Sequence, residues 1–445
     1  MKPHHLALLN GLPIRKSGSW PVWPKSTPDL SVGLNEVLDS QRWAVRARWT
    51  GHRAKERIFS EEFAKFNQVK YCVCTPNGTS ALRLALEALD IGAGDEVIMP
   101  GLTWVATAIA ALDVNAIPIF VDVEPNTYCI DPKAIRDAIT PRTKCILPVH
   151  FHSSMANMDA IMEISEEYGI WVLEDSAQAH GARWSGKYAG SIGHVGAFSM
   201  HNDKLLTSGE GGAVITDDEN IYRRLQALRL DGFDFYEVPS NTIEGPYELA
   251  EISDVMGSSC SLSEFQAVIL LEQLKSLNNQ NLKRQENATY LISLLRQIEG
   301  LTPLERPSQL ELQTFYEFSL KFSSNFFANC NIYAVCRALS AELGFPIYPE
   351  NPPLHKNSLY KPFTKKRYRL KEHEKYLDTS QYKLPISEKA QDELMLFPHW
   401  ALLGDKQDMK DIASAFEKVQ TNSNELHKIQ DQVDKLAGYN SRVNL

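Results

Sequence analysis

A chain of 445 residues, 43% hydrophobic and 23% charged, has the make-up of a soluble globular protein with room for two or three domains. Its net charge of -9 and pI near 5.8 argue against a nucleic-acid binder, which would show a basic patch. No run approaches the ~18 apolar residues of a membrane span, and the opening MKPHHLALLNGLP lacks the apolar core of a signal peptide. A cytoplasmic protein without a membrane partner is expected.

In chain order, SGSWPVWPKSTPD is rich in Pro and Trp and reads as an extended arm. From about residue 60 to 220, short apolar runs alternate with amphipathic ones. YCVCT, EVIMP, IPIFVDV, KCILPVH and IWVLED read as strands. TSALRLALEALD, ATAIAALDV, DPKAIRDAI and MDAIMEISEEYG carry the i, i+3, i+4 spacing of helices. Alternation of this kind predicts an α/β domain, a mainly parallel sheet with helices on both faces and ligands at the carboxyl ends of its strands. A long helix is predicted over Ser263 to Ile298, and beyond about 300 mixed elements with turns at FPIYPENPPLH suit a smaller α+β domain. The expected division is an N-terminal arm (1–55), a large domain (56–290), a small C-terminal domain (291–420) and a polar tail (421–445). The seven cysteines lack metal-type spacing, and Cys72 and Cys74 share one face of YCVCT; they read as reduced and buried, and no metal site is expected.

Four stretches carry chemistry. TPNGTSALRL sets Asn77, Gly78, Thr79 and Ser80 between a strand and a helix, where free N–H groups and two hydroxyls suit an anion; a helix cap looks the same. PGLTWVATA places Trp104 after a strand, to cover a flat ring or to fill a core. WVLEDSAQAHGA ends a strand in Glu174 and Asp175, with Gln178 three further on. Asp175 suits a cationic ligand nitrogen, or equally the cap of a helix. FSMHNDKLLTSGEGGAVITDD sets Ser199 at a strand end and Lys204 before a glycine-rich turn. Together these supply what pyridoxal phosphate needs: phosphate anchor, stacking face, ring-nitrogen partner and imine-forming amine.

With those residues in view, the sequence resembles the DegT-type sugar aminotransferases of the aspartate-aminotransferase fold. WPVWP, NGTSAL, GDEVIMPGLTWVATA, FVDVEPNTYCIDP, LPVH, EDSAQAHGA and TSGEGGAVITDD all read like that family, over nearly the whole chain. QRWAVRARWTG, SMANMDAI, CSLSEFQAVILLEQL, PPLHKNSLYKPFTKKRY and LPISEKA look closest to its 2-deoxy-scyllo-inosose aminotransferases. The resemblance implies the pyridoxal-phosphate transferase fold of type I, with a seven-stranded sheet and pyridoxal 5′-phosphate as cofactor. It implies transfer of an amino group from glutamine or glutamate to a keto-cyclitol or keto-sugar, as in aminoglycoside antibiotic biosynthesis. It makes Lys204 the internal-aldimine lysine, Asp175 the partner of the pyridine nitrogen and Gln178 the group near the ring hydroxyl. Trp104 becomes the stacking aromatic, and Thr79, Ser80 and Ser199 the phosphate ligands. A homodimer with composite active sites is implied as well. Departures lie at His201, Asn202 and Asp203 before the lysine, at Ser153 where relatives carry glycine, and at Ser259 where an asparagine would reach the partner's phosphate. Rival readings are a dehydrating, aromatising synthase of the 3-amino-5-hydroxybenzoate type and a non-catalytic paralogue. A 3-dehydratase of the same fold would carry histidine in place of Lys204.

Overall fold

The computed structural model describes residues 5–16, 18–235, 249–251, 255–369 and 375–428. Seven strands form the central sheet: β1 (Tyr71–Thr75), β2 (Glu96–Pro100), β3 (Ile117–Val121), β4 (Thr143–Ile146), β5 (Trp171–Asp175), β6 (Val195–Ser199) and β7 (Gly212–Thr216). Their order is β1-β7-β6-β5-β4-β2-β3. β3, β2, β4, β5 and β6 run parallel, and β7 pairs antiparallel with both β6 and β1. This is the mainly parallel α/β sheet that the sequence predicts. Strands such as β2 and β7 are buried along their whole length, which is why they read as continuous apolar runs rather than alternating ones.

Parallel neighbours need crossovers, and helices supply them. In chain order they are α1 (Pro28–Ser40), α2 (Lys55–Phe66), α3 (Gly78–Ala88), α4 (Ala106–Asp113), α5 (Pro132–Ala138), α6 (Met158–Tyr168) and α7 (Glu219–Arg229). The arm departs from expectation. Its extended reading ends at Thr27, whose side chain accepts the N–H of Leu30, and Pro28 then opens α1. Before that point Trp20 is buried and donates its Nε1–H to Leu343 O at 2.6 Å. α8 (Glu264–Leu295) starts at a reciprocal box between Ser263 and Gln266, close to the predicted start. All seven cysteines are free and buried, with Cys72 and Cys74 in one cluster.

The C-terminal part forms an antiparallel sheet of four strands: β8 (Leu301–Pro303), β9 (Glu317–Phe322), β10 (Tyr348–Pro349) and β11 (Leu394–Pro398), ordered β8-β9-β11-β10. Helices α9 (Ile332–Leu343), α10 (Pro385–Glu393) and α11 (Lys406–Thr421) complete it. Phe318, Phe397 and Phe416 fill its core, joined by Leu6 and Trp20 from the start of the chain. The two sheets interlock. After β10 the chain lays Tyr360, Tyr368, Leu377 and Leu384 into the core beside β2 and α4, where the Tyr368 hydroxyl donates to Leu112 O. Of the polar tail, residues 429–445 lie outside the described residues.

Candidate active site

The carboxyl ends of β2, β5 and β6 and the start of α3 open on one cavity of about 450 Å³. Gly78, Thr79, Trp104, Asp175, Gln178, Ser199 and Lys204 all line it. Two other expected residues do not. Ser80 is turned into the first turn of α3, where its N–H donates to Asn77 Oδ1 at 2.8 Å. Ser259 is exposed on a segment that bridges to Leu230, away from this cavity.

The first corner is a cradle. Asn77 caps α3 through Ser80, and the N–H groups of Gly78 and Thr79 find no acceptor among the described residues. A Cβ on Gly78 would stand 2.5 Å from Ser199 Cβ, so only glycine lets α3 come this close to the end of β6. Two open N–H groups, the positive end of a helix and the Ser199 hydroxyl thus converge, a donor set suited to a phosphate.

Asp175 forms the floor. Strand alternation sends its neighbour Glu174 the other way, where it accepts from the N–H groups of Gly190, Ile192 and Gly193 and meets His150 Nε2 at 2.8 Å. Asp175 accepts from Thr107 Oγ1 (2.9 Å) and from the Ala177 N–H (3.2 Å), and no cation is bonded to it among the described residues. Burial pushes its carboxyl above the usual range, against the pull of those bonds and of the Lys204 charge. A buried carboxylate in this state gains most from a protonated ligand nitrogen. Trp104 lines the same cavity at 48% exposure, so it is not a core residue.

Lys204 sits where the loop after β6 turns. Its N–H donates to His201 O at 2.9 Å, and Nζ stands 3.8 Å from the centre of the Tyr316 ring. The unusual residues ahead of it are held from two sides. Trp23 Nε1 donates to Asn202 O at 3.2 Å, and His399, kept neutral by burial, meets Asp203 O through Nε2 at 3.2 Å. His201 and Asp203 line the cavity.

Sequence reasoning missed the far wall: Tyr316, His152, Glu350 and Asn351. Tyr316 and Glu350 come from around β9 and β10. His152 follows β4, at the strand end where ligands collect, and the second histidine of LPVHFH was the available signal. Its ring nitrogens face Glu350 Oε2 at 2.5 Å and Glu317 Oε2 at 2.9 Å. Burial opposes the charged ring, but the two carboxylates outweigh it and push His152 up to about 9. On the other side, the His152 N–H donates to Gln178 Oε1 at 2.6 Å.

Comparison with known proteins agrees with this geometry. The chain is 44% identical, over 95% of its length and 99% of the relative's, to the L-glutamine:2-deoxy-scyllo-inosose aminotransferase of Streptoalloteichus tenebrarius. It is 45% identical, over the same shares, to the protein of that name from Micromonospora echinospora. Among solved structures, 3-amino-5-hydroxybenzoic acid synthase superposes with a TM-score of 0.74 at 27% identity, covering 92% of this chain and all of that one. NtdA of Bacillus subtilis, solved with bound cofactor PMP, superposes with a TM-score of 0.72 at 25% identity, covering 89% of this chain and 83% of that one. The pattern of one family matches residues 34–417, and the chain belongs to the DegT/DnrJ/EryC1/StrS aminotransferase family, with pyridoxal phosphate as its cofactor.

Proposed function

We propose that this aminotransferase moves the amino group of L-glutamine onto a free keto-cyclitol of the 2-deoxy-scyllo-inosose kind, working in the cytoplasm as a homodimer. The observation that carries the reading is the convergence of the phosphate cradle, the buried Asp175 and Lys204 on one cavity. The substrate pair rests on relatives 44% and 45% identical over nearly their whole lengths. The aromatising synthase, at 27% identity, stands further off. Support for a composite site is that Ser259 and half of Trp104 lie open to solvent in the single chain. The division at 55, 290 and 420 is part of the same proposal. It assigns the cradle and floor to the large domain, while Tyr316 and Glu350 close the cavity from the small one.

Bound pyridoxal phosphate supplies an electrophilic carbon and a ring that accepts the electrons left when a donor's α-proton departs. The rest is the chain's work. Gly78, Thr79 and Ser199 hold the phosphate with N–H and hydroxyl donors. Asp175 would keep the ring nitrogen protonated, Trp104 would cover one face of the ring, and Gln178 would meet its hydroxyl. Lys204 would hold the cofactor through its amine and, with that amine free, would serve as the base for the donor's α-proton. The same residues in reverse order deliver the amino group to the acceptor ketone.

The test is to incubate the purified protein with pyridoxal phosphate, L-glutamine and 2-deoxy-scyllo-inosose and follow the aminated cyclitol by mass. Glutamate and a nucleotide-linked keto-sugar serve as competing donor and acceptor. Turnover only with the nucleotide-linked sugar overturns the acceptor assignment. Turnover with none, and no visible band from bound cofactor, favours the non-catalytic reading.

A further inference from the structure

We propose that His152 is a positioning residue for the reaction. Gripped by two carboxylates of the C-terminal sheet, it holds the backbone N–H that sets which end of the Gln178 amide faces the cofactor. The inference rests on the reading of Gln178 as the group beside the ring hydroxyl.

The contacts form one chain across the cavity wall. His152 Nε2 meets Glu350 Oε2 at 2.5 Å and Nδ1 stands 2.9 Å from Glu317 Oε2. The contact to Glu350 is a hydrogen bond, whereas Nδ1 and Glu317 Oε2 lie at ion-pair distance without the alignment of one, and the two carboxylates together favour the charged ring. Both carboxylates are themselves tied: Glu317 Oε1 accepts from the Tyr348 hydroxyl, and Glu350 Oε1 from the Asn351 N–H at 2.7 Å. The backbone is caught as well, since the Tyr316 N–H donates to His152 O at 3.0 Å and Gln313 Nε2 to Ser153 O at 2.8 Å. His152 itself adopts φ 51°, a left-handed conformation that a side chain with a Cβ resists. Such a conformation persists where its surroundings over-determine it, and here they include two carboxylates and two backbone-directed donors.

This backbone geometry points the His152 N–H at Gln178, 2.6 Å from Oε1. A backbone N–H only donates, so the oxygen of the amide has to face it. The NH₂ end is then the one presented to the cavity that Gln178 lines. Released from this contact, the amide is free to turn and set an acceptor against the ring oxygen, where a donor is needed. Other titratable groups near the imidazole and its carboxylates include Tyr348 on Glu317, Tyr316 with Lys204 Nζ 3.8 Å from its ring centre, Tyr128 near Glu350 and His399 near Glu317.

The experiment is a pH titration of the visible band of the bound cofactor in four proteins: wild type, Gln178→Ala, His152→Gln and the double variant. A donor on the ring oxygen weakens that oxygen's hold on the proton it shares with the Lys204 nitrogen. Its loss should raise the midpoint by about one pH unit, the size of one hydrogen bond to a charged group. His152→Gln should move the midpoint the same way as Gln178→Ala, and the double variant should match Gln178→Ala alone. If His152→Gln does not fold, Glu350→Gln, which leaves the imidazole one carboxylate, should give a smaller shift in the same direction. A ring that only ties the two sheets together would lower the melting temperature and leave the midpoint in place. A shift in Gln178→Ala without one in His152→Gln or Glu350→Gln, or shifts that add, overturns the role of His152. No shift in Gln178→Ala overturns the reading of Gln178, and the proposal with it.

Discussion

Lys204 and Asp175 share a cavity, but the fold treats them in opposite ways. Asp175 is 6% exposed and fixed by two hydrogen bonds, whereas the Lys204 amine rests on the Tyr316 ring. A cation–π contact of this kind steers the amine into the cavity that Asp175 floors. Reduction with borohydride should therefore leave the pyridoxyl group on the peptide that contains Lys204, as mass spectrometry of a digest would show. Lys204→Ala should lower turnover by more than about a thousandfold, because the anchoring amine and the base go together. Labelling of another lysine would sink the assignment. Asp175→Asn can still accept from the Ala177 N–H, and its NH₂ can donate to Thr107 Oγ1 where the carboxylate accepted, but it cannot balance a protonated ring nitrogen. It should retain cofactor and slow the proton-transfer step by about a hundred- to a thousandfold, read by stopped-flow absorbance with glutamine. No helix starts at Asp175, so near-normal rates would leave it only as the residue that fixes Thr107 and the turn at Ala177.

Elements differed in how far the sequence disclosed them. β2 and β7 are buried on both faces and so announce themselves as apolar runs, and α8 carries its own start signal in Ser263 and Gln266. α1 was hidden because the Pro and Trp of the arm masked the short Thr27-Pro28 start. In the site, apart from His152 beyond β4, the residues Gly78, Thr79, Trp104, Asp175, Gln178, Ser199 and Lys204 were legible from local pattern. Tyr316, Glu350 and Glu317 were not, because only tertiary folding brings β9 and β10 to the cavity. Nor does sequence show that Gly78 is a contact rather than a turn glycine. Its hydrogen faces Ser199, so Gly78→Ala should push α3 away from β6. Cofactor affinity should fall by about tenfold or more, the equivalent of one charge-assisted hydrogen bond, and the melting temperature should drop as well because the helix is displaced. Equilibrium titration with pyridoxal phosphate reads this directly, and unchanged affinity would mean that the phosphate lies elsewhere.

At the scale of the whole molecule, His152 joins two parts of one chain, and Ser259 is the position at which the resemblance would join two chains. Ser259 is exposed in the single chain, and the resemblance places an asparagine there that would reach a partner's phosphate. If a serine falls short, Ser259→Asn should tighten pyridoxal phosphate binding by about tenfold (1.4 kcal/mol) at equal dimer concentration. Equal or weaker binding would show that the cross-subunit contact lies at another residue. His152 joins the loop after β4 to the C-terminal sheet, and its charge gives that joint a pH dependence. The two carboxylates raise it to about 9 against the opposing effect of burial. A free histidine titrates near 6.5, so the folded state binds the extra proton between those values. The stability it contributes is fully present below about pH 6.5 and is lost as pH rises through about 9, a change on the order of a few kcal/mol. His180 acts in the opposite sense: burial, and then the Lys204 charge, depress it to about 3. Stability is therefore lost as pH falls from about 6.5 toward 3, where the unfolded chain takes a proton that the folded one refuses. The buried thiols of Cys129 and Cys145, both pushed up to about 12, add to the alkaline loss only above their ordinary range near 9. Urea midpoints measured from pH 4 to 10 should accordingly peak near pH 6.5. His152→Gln should flatten the limb between about 6.5 and 9 while leaving the acid limb and the loss above 9 in place. An unaltered slope in that window would show that the His152 proton is not what joins the two sheets.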